Sequence, residues 1–194
     1  MWQCDWKGSS SSISSRHLVH VMQTEGRAPI TSSRATRARR LFIIIATAIF
    51  GFDLLTKTWA ENTLQYREPI RVIGDLLKFT YATNPGAAFN FATNATVVLS
   101  SLKLCVAAFI IYFMTKPVHP HWAIGLALLF GGVAGNLWDR ATREPGRWEG
   151  EVIDWIQIPH WPVFNIADSA IVCAGIFMTF LAMKNIPVRV DHER

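Results

Sequence analysis

The stretch VFNIADSAIVCAGIFMTFLAM, Val163 to Met183, carries a single formal charge, Asp168, in a run long enough to cross a bilayer as a helix. An α-helix rises about 1.5 Å per residue, so roughly 20 apolar residues cover about 30 Å of hydrocarbon. Leu41 to Ala60, Ala95 to Thr115 and His121 to Trp138 are three more stretches of this kind. A soluble bundle can also hide apolar helices, but its helices seldom string together so many apolar residues in succession. The chain of 194 residues, 51% hydrophobic and 17% charged, therefore reads as an all-α polytopic membrane protein with four transmembrane helices.

The net charge of +5 does not point to nucleic acid. The basic residues concentrate just before the first span and after the last, without interleaved aromatics. Such a distribution sets membrane topology, because loops rich in Lys and Arg stay in the cytoplasm. Arg34, Arg37, Arg39 and Arg40 hold the N-terminus inside, and Lys116, Lys184 and Arg189 agree with them. Three segments follow: a Ser- and Arg-rich cytoplasmic tail at 1–40, expected to be disordered, a four-helix transmembrane domain at 41–186, and a cytoplasmic tail at 187–194. The first segment contains no apolar core followed by a small-residue cleavage site, so it is not read as a secretory signal.

The outward connections, about residues 61–94 and 139–162, balance their basic residues with Glu61, Glu68, Asp75, Glu144, Glu149 and Glu151. Ile70 to Phe91 alternates apolar and polar residues around Gly74, Pro85 and Gly86, which predicts a small extracytoplasmic β-rich segment between helices 1 and 2. Trp59, Trp138, Trp148, Trp155 and Trp161 lie near this same face and suit an aromatic belt.

An ionisable side chain inside a span is expensive unless it is paired or faces a cavity, so each one is a candidate for function. Asp53 and Lys57 stand four apart on one face of the first helix, within ion-pairing reach. They either pin the helix end or belong to a site. Gly131 and Gly135 form a small-xxx-small seam in the third span, and Asn136, Asp139 and Arg140 follow directly. Asn165 and Asp168 share a face at the start of the fourth span, one turn inside the helix. Upstream, Val152-Ile153-Asp154-Trp155-Ile156 sets another carboxylate in an apolar, strand-like run. Asp154 is then either a solvated loop acid or a partner of Asp168.

With four alternating spans, the outward ends of the first and third helices and the outward starts of the second and fourth lie at one membrane face. Asp53, Lys57, Asn84, Gly86, Asn136, Arg140, Asp154, Asn165 and Asp168 all map there, and such convergence marks a site. Two carboxylates close together in a low-dielectric pocket cannot both ionise. One then activates a water while the other donates a proton. Cys4, Cys105 and Cys173 form no CxxC pair, no His, Cys and carboxylate cluster has metal-ligand spacing, and no GxSxG or SxxK supplies a nucleophile. Neither a metal nor a cofactor is expected. His160 is the one histidine near the polar group and reads as an interfacial loop residue. A small transporter whose charges line a pathway is the alternative function. A relative that binds lipidated peptides without cutting them is a third.

The blocks Asp53-Leu54-Leu55-Thr56-Lys57, Asn84 to Phe89, Gly131 to Arg140, Val152 to Trp155 and Phe164 to Ser169 resemble those of the lipoprotein signal peptidases, or signal peptidase II. The resemblance covers about residues 41–185. It implies a bacterial cytoplasmic-membrane aspartic endopeptidase that cuts diacylated prolipoproteins just before the lipidated cysteine. It further implies a dyad of Asp154 and Asp168, with Asn84, Gly86, Asn136, Arg140 and Asn165 holding substrate or supporting the dyad. Asp53 and Lys57 would brace the site, and Asp139 would stand beside it. Inhibition by the cyclic peptide globomycin, contact with membrane lipid and a monomeric state are expected on the same ground. Gly146 and Gly150 suggest a lid at residues 141–151. The long basic tail departs from the compact family pattern.

Overall fold

The computed structural model describes residues 30–86, 94–144 and 148–189. The tail up to residue 29, Ala87 to Phe89 of the second sequence block, Gly146 of the expected lid and residues 190–194 lie outside them. Four helices, α1 (Ile30–Leu64), α2 (Asn94–Met114), α3 (Pro120–Thr142) and α4 (Ile166–Met183), are long and apolar enough to cross a membrane. The expected four-span architecture is therefore present.

α1 begins at Ile30 rather than at Leu41, so residues 30–40, expected to belong to a disordered tail, are helical. Hydropathy marks only the hydrocarbon-facing part of a helix. Ala35, Arg37, Ala38, Arg39 and Arg40 are strong helix formers that continue it into a polar environment. Packing holds this extension, because Ala38 is buried against Ile110, Met114 and Val118.

α3 is the hub and lies against all three other helices. Its glycines make the close approaches. A Cβ on Gly131 would stand 2.8 Å from Ile49 Cβ and 2.9 Å from the Ala46 carbonyl oxygen of α1. One on Gly132 would collide with the Ala167 carbonyl of α4. On Gly135 it would stand 2.5 Å from Asp53 Oδ2. The glycine seam thus brings α1 and α4 against α3 without intervening side chains, as small residues do in membrane helix packing.

β1 (Ile70–Ile73) and β2 (Leu77–Asn84) form a hairpin between α1 and α2, turning at Gly74, whose φ is +51°. β3 (Val152–Gln157) comes from the α3–α4 connection and pairs antiparallel with β2, giving the order β1-β2-β3. Ala82 lies opposite Asp154 and Asn84 opposite Val152. Because successive strand residues alternate faces, Asn84 and Asp154 are on the same side of the sheet.

The other side rests on α1. Trp155 is buried there and meets Trp59 and Phe79 edge-on, at centroid distances of 5.4 and 5.1 Å. Trp155 is therefore part of the core joining sheet to helix, not of an aromatic belt, because strand alternation turns it inward when Asp154 faces the site. Trp59, Trp138, Trp148 and Trp161 remain exposed.

Candidate active site

Lys57 is fully buried, and its three ammonium protons have three oxygen partners. It pairs with Asp53 Oδ2 at 2.6 Å, one turn earlier on α1, and with Asp139 Oδ2 of α3 at 2.8 Å. It donates to Asn136 Oδ1 at 3.0 Å. An unpaired ammonium here would be strongly destabilising, so the surrounding oxygens fix α1 against α3 in one register.

Asp53 does more than neutralise Lys57. Its Oδ1 accepts the Ala167 backbone N–H at 2.8 Å, in the first turn of α4. Carboxylates suit this place, where unpaired N–H groups and the helix dipole present positive charge. Asn165 is the N-cap of α4, its Oδ1 accepting the Asp168 N–H at 2.9 Å. The expected position of Asn165 inside the helix is corrected: asparagine favours the cap because its side-chain oxygen satisfies an orphan N–H. The cap places Asp168 in the first turn of α4.

Asn165 also spends its amide protons on the site. Its Nδ2 lies 2.6 Å from Asp154 Oδ1, 3.2 Å from Asn136 Oδ1 and 3.2 Å from the Ile153 carbonyl oxygen. Asn136 in turn donates to Asp168 Oδ1 at 2.8 Å. The chain Asp154–Asn165–Asn136–Asp168 links the two carboxylates through two amides. The Asp154 carboxyl is pushed up to about 6, first by burial, then by the nearby Asp168 charge, while hydrogen bonds from Asn165 and Asn84 oppose the rise.

The strand bearing Asp154 is tied down at its start. Asp139 Oδ2 accepts the Ile153 N–H at 3.4 Å. Arg140 donates to the Gly150 carbonyl at 2.7 Å, and the Gly150 N–H returns to the Arg140 carbonyl at 3.1 Å. A Cβ on Gly150 would stand 2.5 Å from the Arg143 carbonyl oxygen and 2.6 Å from that of Asp139, so only glycine fits this crossing. Gly86 donates its N–H to Asn84 Oδ1 at 2.8 Å with φ at +91°, a turn that closes the β2 end of the site.

The structure thus brings Asp53, Lys57, Asn136, Asp139, Asp154, Asn165 and Asp168 into one connected group. Asn84 joins it through its hydrogen bond to Asp154, Arg140 is buried beside it on the Gly150 carbonyl, and Gly86 follows at the end of β2. His160 is an exposed loop residue with a positive φ, as its sequence context suggested. Among the described residues no group of three His, Cys, Asp or Glu could hold a metal ion.

A sequence model of signal peptidase (SPase) II matches residues 45–184. The chain belongs to the signal peptidase II family. The lipoprotein signal peptidase of Streptomyces coelicolor is 41% identical over 155 residues, covering 79% of this chain and 76% of that protein. Its counterpart in Mycobacterium tuberculosis is 37% identical over 166 residues, covering 86% and 82%. A solved bacterial membrane enzyme superposes with a TM-score of 0.65 at 26% identity, covering 79% of this chain and 93% of that one. A second solved structure of a bacterial membrane enzyme gives a TM-score of 0.66 at 27% identity, covering 74% and 93%.

Three charged residues of this signal peptidase II chain escaped the sequence reading as parts of the site. Arg143 reaches Asp139 Oδ1 at 2.8 Å and both Glu61 oxygens at 2.9 and 3.0 Å, joining the C-terminal ends of α1 and α3. Lys103 is the one charged residue of α2 and feels the charges of Asp168, Arg140, Lys57 and Asp154. Its isolation in an apolar span was a legible signal. Glu61 and Arg143 gave none, since both sit at helix ends where charge is ordinary.

Proposed function

We propose that this protein is an aspartic endopeptidase that removes the signal peptide from diacylglyceryl-modified prolipoproteins, cutting immediately before the lipidated cysteine, with Asp154 and Asp168 as its catalytic pair. The observation that carries this reading is the arrangement of two carboxylates from β3 and α4, each fixed by an asparagine amide and the amides joined to one another. Membership of the signal peptidase II family supports the reaction class.

Burial and the neighbouring Asp168 charge raise the proton affinity of Asp154, which favours one proton shared by the pair. The ionised partner takes a proton from water as the water oxygen attacks the scissile carbonyl. The protonated partner donates to the developing oxyanion. Collapse of the tetrahedral intermediate breaks the C–N bond, and the amino group of the lipidated cysteine leaves with a proton from the pair. Asp53, Lys57, Asn136, Asp139 and Asn165 hold the carboxylates in place, while Arg140, Asn84 and Gly86 line the strand ends where an extended peptide would lie. Acid and base are both supplied by protein, so the scheme calls on no metal or cofactor.

The concentration of Arg and Lys at the opposite end of the bundle supports cytoplasmic termini and an extracytoplasmic site. A substrate tethered by its lipid to the outer leaflet would then present its scissile bond near the first turn of α4. We further propose that the protein acts as a monomer and is blocked by globomycin. The carrier reading has little in its favour, because the buried charges gather at one end of the helices and do not continue across them.

The test is a gel-shift assay with a diacylated prolipoprotein. Asp154→Asn and Asp168→Asn are each expected to abolish cleavage while substrate still binds, because an amide cannot serve as general base. Normal turnover by either variant would overturn the dyad. Binding without cleavage by the unaltered protein would favour a non-catalytic peptide-binding role.

A further inference from the structure

At the end of the bundle away from the aspartates, three cations from three separate segments each contact a different residue in the last turns of α2. Arg39 of α1 donates to the Thr115 carbonyl at 2.9 Å. Lys116 lies over the Tyr112 ring at 5.3 Å, and Arg189, bridged to Val118, lies over Phe113 at 6.0 Å. Arg34 adds its field here, since together with burial and His121 it lowers the proton affinity of His119. Residues 30–45, 105–126 and 178–189, which build this end, contain no Asp or Glu. Among the described residues the positive charge of this end is therefore offset only by helix-end carbonyls and ring faces, which are partial charges.

Directly beneath, a groove of about 320 Å³ opens between α1 and α2, lined by Phe42, Ile43, Ile111 and Met114, with Arg39 and Thr115 at its mouth. The apolar walls belong to spans and the mouth to the polar boundary. An amphiphile that fits both has a hydrocarbon chain and an anionic group at its end.

We infer that this groove is a binding site for an anionic phospholipid, one acyl chain lying between α1 and α2 and the phosphate seated at the mouth beside Arg39, with Lys116 and Arg189 adding positive field from neighbouring faces of α2. A zwitterionic lipid fits the groove equally well but brings its own cation to the cluster, so the site selects net negative charge. Each basic side chain near an anionic headgroup contributes a severalfold preference.

Native mass spectrometry of the detergent-purified full chain, titrated with dioleoylphosphatidylglycerol or dioleoylphosphatidylcholine, tests the site. One phosphatidylglycerol is expected to be retained with a preference of about tenfold over phosphatidylcholine. The double variant Arg39→Gln/Arg189→Gln should lose most of that preference, and Ile43→Trp, which fills the groove, should weaken both lipids. Arg71→Gln, an equal change of charge on the distant sheet for each site altered, should leave the preference intact. Equal retention of the two lipids, an unchanged preference in the double variant, or an equal loss in Arg71→Gln would overturn the inference. Prolipoprotein cleavage is not needed for any of these readings, so they stand apart from the test of the aspartates.

Discussion

Asp53 of α1 accepts the backbone N–H of Ala167 of α4 at 2.8 Å, and through that bond the first transmembrane helix sets the position of the helix that carries Asp168. The same carboxylate neutralises Lys57, which in turn orients Asn136 toward Asp168. The alternatives left open for Asp53 and Lys57 are therefore compatible: the contacts that pin the helix end also reach the group around Asp168.

Removing Asp53 leaves Lys57 buried with one carboxylate and the Ala167 N–H without its acceptor. Breaking a buried ion pair costs about 3–5 kcal/mol, so Asp53→Ala should lower the melting temperature in detergent markedly. Its kcat should fall more than its KM changes, because the loss displaces Asp168 more than it alters the surface that meets substrate. Asp53→Asn keeps an oxygen for Ala167 and should lie between the two. An unaltered melting temperature in Asp53→Ala would contradict this account.

The spans were legible because a bilayer imposes one simple requirement, an apolar run of sufficient length. Candidate site residues were legible for the complementary reason that Asp53, Lys57, Asn136 and Asp168 are polar where polarity is costly. What escaped depends on tertiary partners. Nothing local distinguishes Trp155 in a core from a tryptophan in a belt, and only the register with β2 turns Asp154 toward the site and Trp155 away. The helical state of residues 30–40 rests on Ala38 meeting Ile110, Met114 and Val118, all distant in the chain. Asn165 as a cap was written in its residue type, but polar spacing drew it into the helix.

Two glycine substitutions should change stability in opposite directions. A Cβ on Gly132 meets the Ala167 carbonyl, which cannot yield without moving α4, so Gly132→Ala is expected to destabilise by about 1–3 kcal/mol and to reduce turnover. A Cβ on Gly51, also helical, meets nothing within 4 Å. Gly51→Ala should therefore stabilise by about 0.5–1 kcal/mol through helix propensity, with activity unchanged. Thermal unfolding of the two variants side by side checks the sign of each.

The raised proton affinity of Asp154 makes stability depend on pH. The unfolded carboxyl titrates near 3.8 and the folded one near about 6, so between these values the folded state holds more protons and stability falls as pH rises. Above about 6 the loss is complete, with an upper bound of about 3 kcal/mol. Asp154→Asn removes the titrating group yet keeps an oxygen for Asn165. The variant should be inactive but should lose less stability than the parent between pH 4 and pH 7. Parallel melting curves with equal pH dependence would show that Asp154 is not held in the environment described.

Lys103 brings the only formal charge of α2 toward the pair, on the stripe shared with Ser100, Ala107 and Ile110, whose side chains are turned inward. Ser100 donates to the Trp148 carbonyl at 3.0 Å, which fixes that stripe against the connection leading to β3. The charges of Asp168, Arg140, Lys57 and Asp154 reach Lys103 through space, without a direct ion pair or hydrogen bond among the described residues. A nearby cation favours ionised carboxylates, so Lys103→Met should raise the proton affinity of the pair and move both limbs of the pH dependence of kcat/KM to higher pH. Lys103→Arg restores the charge and should restore the profile. A purely packing role for this side chain would lower activity at every pH alike, and that result would remove Lys103 from the electrostatics of the site.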